Sequence, residues 1–330
     1  MPVLYVTQPG AEVRKKDARL QVEWQGQVLA AMPLRLVERL VLMGPVQLSA
    51  AATQVLLQAK KPVLFCSHNG KFYGILSSGH ENVEILLRQV ACYQDSDYRL
   101  SIAKSIVATK ITHQYRLLQR YARNHPDPFL TETAEQLKGL RETLQGRSSV
   151  PEVTGVEGQA SAIYFAAFGH CLRREGITFE GRNRRPPKDP VNAILSLSYM
   201  LLLNEVLSII VAAGLNPGIG FLHEINRRHP ALALDILEIA RQPVADRLTL
   251  SLFNLGVLTP DDFLTTPAGE TRLKEGSLKR FLSFYERAMT TNFRRGDDEL
   301  NFRDWLRLQI TDFRDALCSQ RPWQPQALEM

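Results

Sequence analysis

The stretch Gly220–Arg241, GFLHEINRRHPALALDILEIAR, decides how the rest of the chain is read. Between Ala231 and Ala240 every residue is apolar except Asp235 and Glu238. A helix that is apolar all round belongs in an interior, not on a surface. Residues three apart share a helical face, so both carboxylates point the same way. Burying a carboxylate is costly unless a cation or several hydrogen bonds receive it. His223 lies just upstream in a Gly-flanked segment, and an imidazole beside clustered carboxylates is a donor set for a divalent metal. The alternative is a carboxylate pair salt-bridged to Arg227, Arg228 or Arg241, and these residues alone leave both readings open.

Further out, the 330 residues are enough for a substantial core and for two domains. A hydrophobic content of 45% and a charged content of 22% describe an ordinary soluble globular protein. The formal charge of +6 permits a polyanionic partner without requiring one. Cys66, Cys92, Cys171 and Cys318 are scattered without CxxC spacing, which speaks against a zinc site or a disulfide framework. Reduced thiols in a cytoplasmic protein are the simplest reading. The opening MPVLYVTQPG lacks the basic and long apolar regions of a signal peptide. Ala193–Ala213 is long and apolar, but Asn204 and Glu205 interrupt it, so a core helix is expected and no membrane is.

The N-terminal region reads as β-rich. Val3–Val6, Arg19–Trp24, Gln27–Leu34 and Leu40–Met43 are strand candidates, with Leu20, Val22 and Trp24 alternating onto one side after a charged turn at Lys15-Lys16-Asp17. Leu48–Ala59 has helical character, and Pro62–Cys66 and Phe72–Leu76 flank a hairpin signal at Asn69-Gly70. Character changes near His80: from Asn82 apolar residues recur at helical spacing, with further helices over Ser101–Tyr121 and Thr131–Leu144. Asn124–Pro128 breaks those two helices, and Ser148–Pro151 reads as a loop or hinge. The fold class is α+β, with a small β-rich domain at 1–81 and a larger, mostly α-helical domain at 82–330.

Two other stretches carry chemistry. Gly155–Gln159 opens a helix running to about Leu172, and Glu157 shares a stripe with Tyr164 and Phe168. A carboxylate in a first helical turn is stabilised by the helix dipole, which is a sufficient structural reason for it. The adjacent Gly158 also admits the close approach of a backbone or ligand, suiting a third anionic ligand. In GRNRRPPKDP, Arg182, Arg184, Arg185 and Lys188 cluster ahead of an Asp189 N-cap and Pro190, opening a helix that runs to Ala213. Such a run is either a solvated loop or a phosphate-binding one, and Arg173, Arg174, Arg227, Arg228, Arg241 and Arg247 add to the positive charge.

Together these stretches resemble the CRISPR-associated integrases of spacer acquisition, the Cas1 family. The resemblance runs through LYVTQPGAEVRKKDARLQV, PVLFCSHNGKFYGIL, GVEGQASAIYF, GRNRRPPKDPVNAILSLSY, GLNPGIGFLHE, ALALDILEIARQPVADRLTLSLFN and LKEGSLKRFLSFYERAM. The order and spacing of the stretches make it far more specific than any one motif. It implies metal ligation by Glu157, His223 and Glu238, with Asp235 as companion acid in catalysis and Asn192 supporting the site. Some members carry Asp where this chain has Glu238, which is one methylene longer and still able to ligate. Arg184, Lys188, Arg227, Arg241 and Arg247 are the candidate DNA contacts.

The resemblance further implies a homodimer, with the β domain dimer-forming, and a Cas2 partner bridging two such dimers. The reaction implied is attack of a prespacer 3′-hydroxyl on a phosphodiester at the CRISPR repeat boundary, with Mg2+ or Mn2+ as cofactor. Water in place of the 3′-hydroxyl would give nuclease activity on double-stranded and branched DNA. Two other functions stand against it: a catalytically inactive basic DNA-binding scaffold, and a metal-dependent phosphoesterase of small substrates. Buried acids speak against the first, and a steep salt dependence of DNA affinity would speak against the second.

Overall fold

The computed structural model describes residues 2–78, 82–183, 186–226, 229–295 and 298–329. The chain divides into two compact units, 1–81 and 82–330. The first carries β1 (Leu4–Val6), β2 (Glu12–Lys16), β3 (Arg19–Trp24), β4 (Gln27–Pro33), β5 (Leu40–Met43), β6 (Gln47–Leu48), α1 (Ala50–Gln58), β7 (Val63–Cys66) and β8 (Phe72–Leu76). One four-stranded sheet is ordered β4-β3-β2-β6 and another β1-β5-β7-β8. In β3, Leu20 and Val22 are buried and Trp24 packs on the same core, as the alternation predicts. The antiparallel pair β7–β8 turns through Asn69-Gly70, where Gly70 takes a φ of +77° that favours glycine.

Two features depart from the strand-by-strand reading. Lys15 and Lys16 lie inside β2, paired with Leu20 and Arg19, and the turn itself is made at Asp17, whose φ is +52°. The far end of β2 faces solvent, so it lacks the apolar alternation that marks a strand. β1, β5 and β7 are parallel, so the chain crosses over through β2–β4 between the first two and through α1 between the last two, in place of successive hairpins. His80, where the character of the sequence changes, lies outside the described residues.

The second unit contains α2 (Val83–Gln94), α3 (Ser96–Asn124), α4 (Pro128–Glu142), α5 (Val150–Phe168), α6 (Pro190–Ala212), α7 (Ala231–Ala240) and α8 (Arg247–Asn254). A hairpin of β9 (Phe263–Thr265) and β10 (Thr271–Leu273) follows, then α9 (Glu275–Thr290), a hairpin of β11 (Phe293–Arg295) and β12 (Asp298–Leu300), and α10 (Phe302–Ser319). The N-terminal region is thus built of strands and the C-terminal region is mostly helical. Three-residue strands are too short to show a period, which is why the two late hairpins are not legible in the sequence.

Asp127 caps α4 by accepting from the backbone N–H groups of Phe129 and Leu130, which fixes the break after α3. Of the stretch Ser148–Pro151, Ser148 and Ser149 are loop as expected, but Val150 and Pro151 already belong to α5, with Pro151 in its first turn. α6 is buried on nearly every side, and the glutamate that interrupts it, Glu205, pairs with Arg303 of α10 at 2.7 Å. By length and composition α6 is apolar enough to cross a membrane, yet most of it is buried inside this unit.

α7 packs against α3 and α6 and is buried along its length apart from Leu234. Burial of Leu232, Ile236, Leu237 and Ile239 contributes about 1.5–3 kcal/mol apiece, which anchors the helix that carries both acids. α7 does not stop at Ala240 but widens into a π-helical turn, Arg241–Asp246, before α8. Pro243 lies in that turn and lacks an N–H, so a regular α-helical ladder cannot run through it.

Candidate functional site

Three helices each deliver one ionised side chain to a common point. Lys110 of α3 contacts Oε1 of Glu157 on α5, and its Nζ lies 2.6 Å from Oε2 of Glu238 on α7. Nη2 of Arg241, one turn beyond, lies 3.1 Å from Oε1 of Glu238. Ser161 donates to Glu157 Oε1 at 2.9 Å from one turn along α5. The Glu238 side chain is only 3% exposed, whereas that of Glu157 is 22% exposed, so the cluster is sealed on the α7 side and open on the α5 side. Burial alone would raise the pKa of Glu238, but the charges of Arg241 and Lys110 outweigh it and hold the carboxyl down to about 2.

Glu157 is the eighth residue of α5, not a first-turn residue, because the helix begins at Val150. The helix-dipole explanation for it therefore fails, and the first-turn acid is Glu152, which holds Ser148. A Cβ at Gly158 would meet nothing within 4 Å, so the surface beside Glu157 is open. Gly220 is the reverse case: a Cβ there would lie 2.7 Å from the backbone of Ala231, and only glycine lets the His223 segment lie this close to α7.

That segment is held by Asp235. One carboxylate oxygen accepts from the backbone N–H groups of Phe221 at 2.5 Å and Leu222 at 3.0 Å. The other accepts from His223 N at 2.9 Å and pairs with His223 Nδ1 at 2.7 Å. Burial lowers the His223 pKa, but the hydrogen bond and charge of Asp235 more than offset it, so the net shift is upward. With Nδ1–H directed at Asp235, neutral His223 carries its lone pair on Nε2, and the ring is partly exposed. Asp235 thus spends both oxygens on orienting His223 and its loop.

Among the described residues, no three His, Cys, Asp or Glu side chains stand close enough to hold one metal ion. The cation between Glu157 and Glu238 is the ammonium of Lys110. The donor set nonetheless suits a hard divalent ion: two carboxylates, Glu157 and Glu238, and an imidazole oriented from behind by Asp235. The salt-bridge alternative is also realised, because Arg241 pairs with Glu238; Arg227 and Arg228 lie outside the described residues.

Beneath Arg241 lies a second buried layer. Its guanidinium sits 4.9 Å from the ring centroid of Tyr199, whose hydroxyl donates to Asp246 Oδ1 at 2.5 Å. Tyr164 donates to the other oxygen of Asp246 at 2.9 Å. Burial, followed by the charge of Asp246, pushes both tyrosines well above their usual range. The guanidinium of Arg182 also lies over the Tyr199 ring, at 5.4 Å from its centroid, and donates to Asn192 Oδ1 at 2.8 Å. Asn192 also donates to Gly181 O and Asp189 Oδ2, so it ties the loop before α6 to the layer under the site.

Of the expected DNA contacts, Arg184 and Arg227 lie outside the described residues. Lys188 is exposed, with its backbone N–H donating to Asn183. Arg247 is half-buried beside Arg120, and burial followed by that like charge lowers its pKa. Arg241 is turned into the site and not outward. Lys110, Tyr199 and Asp246 are absent from the sequence-derived set. Lys110 had a signal, since it interrupts the buried stripe Ile106-Lys110-His113-Leu117 at helical spacing.

Residues 4–287 match the family described as CRISPR associated protein Cas1. The CRISPR-associated endonuclease Cas1 1 of Thermus thermophilus is 36% identical over 286 residues, covering 87% of this chain and 86% of the relative. This chain belongs to the Cas1 family. The structure of a Cas1 protein from Thermotoga maritima matches with a TM-score of 0.82 at 25% identity, covering 96% of this chain and 97% of that one. A Cas6-RT-Cas1 chain in complex with Cas2 matches with the same TM-score and identity over 99% of this chain. This chain spans only 36% of the length of that fusion.

Proposed function

We propose that this chain is a divalent-metal-dependent DNA integrase and endonuclease of CRISPR adaptation. The observation that carries the reading is the convergence of Glu157 and Glu238 on one cation, beside an imidazole that Asp235 orients. Family membership and relatives named as endonucleases support it. Glu157, His223 and Glu238 would hold Mg2+ or Mn2+, and Asp235 would keep His223 in the ligating tautomer. When bound, the ion would supply charge stabilisation at the scissile phosphoryl oxygens and at the departing 3′-oxygen.

The remaining roles fall to the chain itself. Arg241 and Ser161 fix the carboxylates, and the Tyr199–Asp246 layer fixes Arg241 from below. Lys188 and Arg247, together with Arg184 and Arg227, would neutralise backbone phosphates. A prespacer 3′-hydroxyl oxygen attacks phosphorus at the repeat boundary, the P–O3′ bond of the repeat breaks, and the proton lost by the nucleophile is balanced by one gained at the leaving oxygen. Water as nucleophile would give hydrolysis of double-stranded or branched DNA at the same atoms. The fusion relative in complex with Cas2 supports a Cas2 partner, and we assign homodimer formation to the β unit.

The test is strand transfer of a labelled 3′-hydroxyl prespacer into a supercoiled repeat-containing plasmid, with the Cas2 partner and with Mn2+, Mg2+ or chelator. Metal-dependent joining that vanishes in His223→Ala is expected. One observation favours the scaffold reading instead, namely that Lys110 already neutralises both carboxylates. DNA binding without joining or cleavage in any metal would establish that reading and sink the integrase.

A further inference from the structure

Lys110 is among the largest fully buried side chains, with 2% exposure, and the reaction just described makes no use of it. An ammonium loses its hydration on burial and persists there only with close anionic partners. Here it has two, Glu157 and Glu238, the same oxygens that the metal reading requires. The charges on the four ionised groups cancel: Glu157 and Glu238 against Lys110 and Arg241. Two further positive charges introduced beside that neutral cluster meet the field of Lys110 and Arg241 at close range, in a setting where Coulomb energies are large. A phosphodiester brought to the open α5 side, where Gly158 leaves room, would supply compensating negative charge.

We propose that Lys110 is a resident counter-cation that competes with the divalent ion for Glu157 and Glu238, so that metal and DNA bind as a coupled pair. The inference rests on the metal-site reading of the preceding subsection. Lys110 acts through the two carboxylates and is a positioning residue, not a catalytic one. It keeps the acids together and neutral, and it holds metal affinity low until an anionic substrate arrives. Coupling is reciprocal, so DNA should tighten metal binding by the same factor by which metal tightens DNA binding, about 5- to 150-fold.

The experiment is a Mn2+ titration of the full chain followed by electron paramagnetic resonance, without DNA and with duplex DNA. Wild type, Lys110→Met, Lys110→Arg and each of these with Glu238→Ala are compared. Lys110→Met should bind Mn2+ at least about tenfold more tightly than wild type without DNA and lose most of the DNA-dependent gain. Lys110→Arg, which keeps the charge, should stay as weak as wild type. A purely structural lysine would give the opposite sign, since its loss would disorder the ligands. Unchanged or weaker binding in Lys110→Met, still abolished by Glu238→Ala, overturns the proposal and spares the metal site. Binding that survives Glu238→Ala in every background overturns both. Should Lys110→Met unfold without metal, a larger Mn2+-dependent rise in its melting temperature than in wild type supports the proposal, and no such rise overturns it.

Discussion

Two buried clusters in the helical unit each join two glutamates through basic side chains, and they differ in the cation that bridges them. Glu205, Arg303 and Glu286 join α6, α10 and α9, with Arg303 Nε 2.7 Å from Glu205 and Nη2 3.0 Å from Glu286. Glu157, Lys110, Glu238 and Arg241 join α5, α3 and α7 and the turn beyond it. The first is held by the planar fork of an arginine, a geometry that matches carboxylates and gives a rigid clasp. The second is bridged by a lysine, a point charge that fixes no plane, and it opens beside an imidazole that is 37% exposed. Buried charge by itself is therefore no sign of chemistry. What sets the second cluster apart is the oriented, partly exposed histidine beside it and a lysine where the first has an arginine fork.

Removing Arg303 should break this contrast most strongly on the stability side. Arg303→Met removes the guanidinium that pairs with Glu205 and Glu286 and should cost about 3–5 kcal/mol in urea unfolding. DNA cleavage per folded molecule should stay near wild type, and a loss of cleavage beyond the folded fraction would make the two clusters functionally alike. Glu238→Gln should do the reverse, lowering metal-dependent cleavage at least about 100-fold while the fold survives. It should also flatten the acid limb of the stability curve. The Glu238 carboxyl is held at about 2 against an ordinary 4.5, so its contribution is fully present above pH 4.5 and lost as pH falls toward 2. The shift is worth about 3 kcal/mol, and a variant with the wild-type acid slope would remove that contribution from Glu238.

Asp235→Asn should cost less than losing Glu238, about 10- to 100-fold in cleavage with weakened metal affinity, because it acts on the imidazole from behind. Full activity in that variant would leave Asp235 a loop anchor only. The smallest effect is expected at Lys188. Lys188→Ala should weaken DNA binding and reduce the salt slope by less than about one unit, equally for all sequences. An unchanged slope would assign Lys188 to the structure of the loop.

Much of this was readable from residues. β3, β5 and β8 follow their alternation or apolar runs to the residue, and α7 is the buried helix that its composition demands. The parallel strand order was not readable, because period and turn chemistry specify neighbours in sequence and not partners across a crossover. His223, Asp235 and Glu238 could be proposed together because they lie within sixteen residues of one stretch. Lys110 arrives from more than a hundred residues earlier, and no local pattern states which acids it meets. Asp246 reaches the layer below the site only because the chain makes a wide turn around Pro243. Glu157 is marked in the sequence by the stripe it shares with Tyr164 and Phe168, but it sits a turn and more deeper in α5 than Gly155 suggests, because Pro151 starts the helix earlier.

The most direct test sets the two clusters side by side in one assay. Nicking of a branched DNA duplex is measured with Mn2+ and with chelator for wild type, Glu157→Gln and Arg303→Met at equal folded concentration. Metal-dependent nicking by wild type and Arg303→Met, with at least about a 100-fold loss in Glu157→Gln, is the predicted result. Nicking that persists in Glu157→Gln or in chelator would contradict a metal-assisted reaction at the α3–α5–α7 cluster.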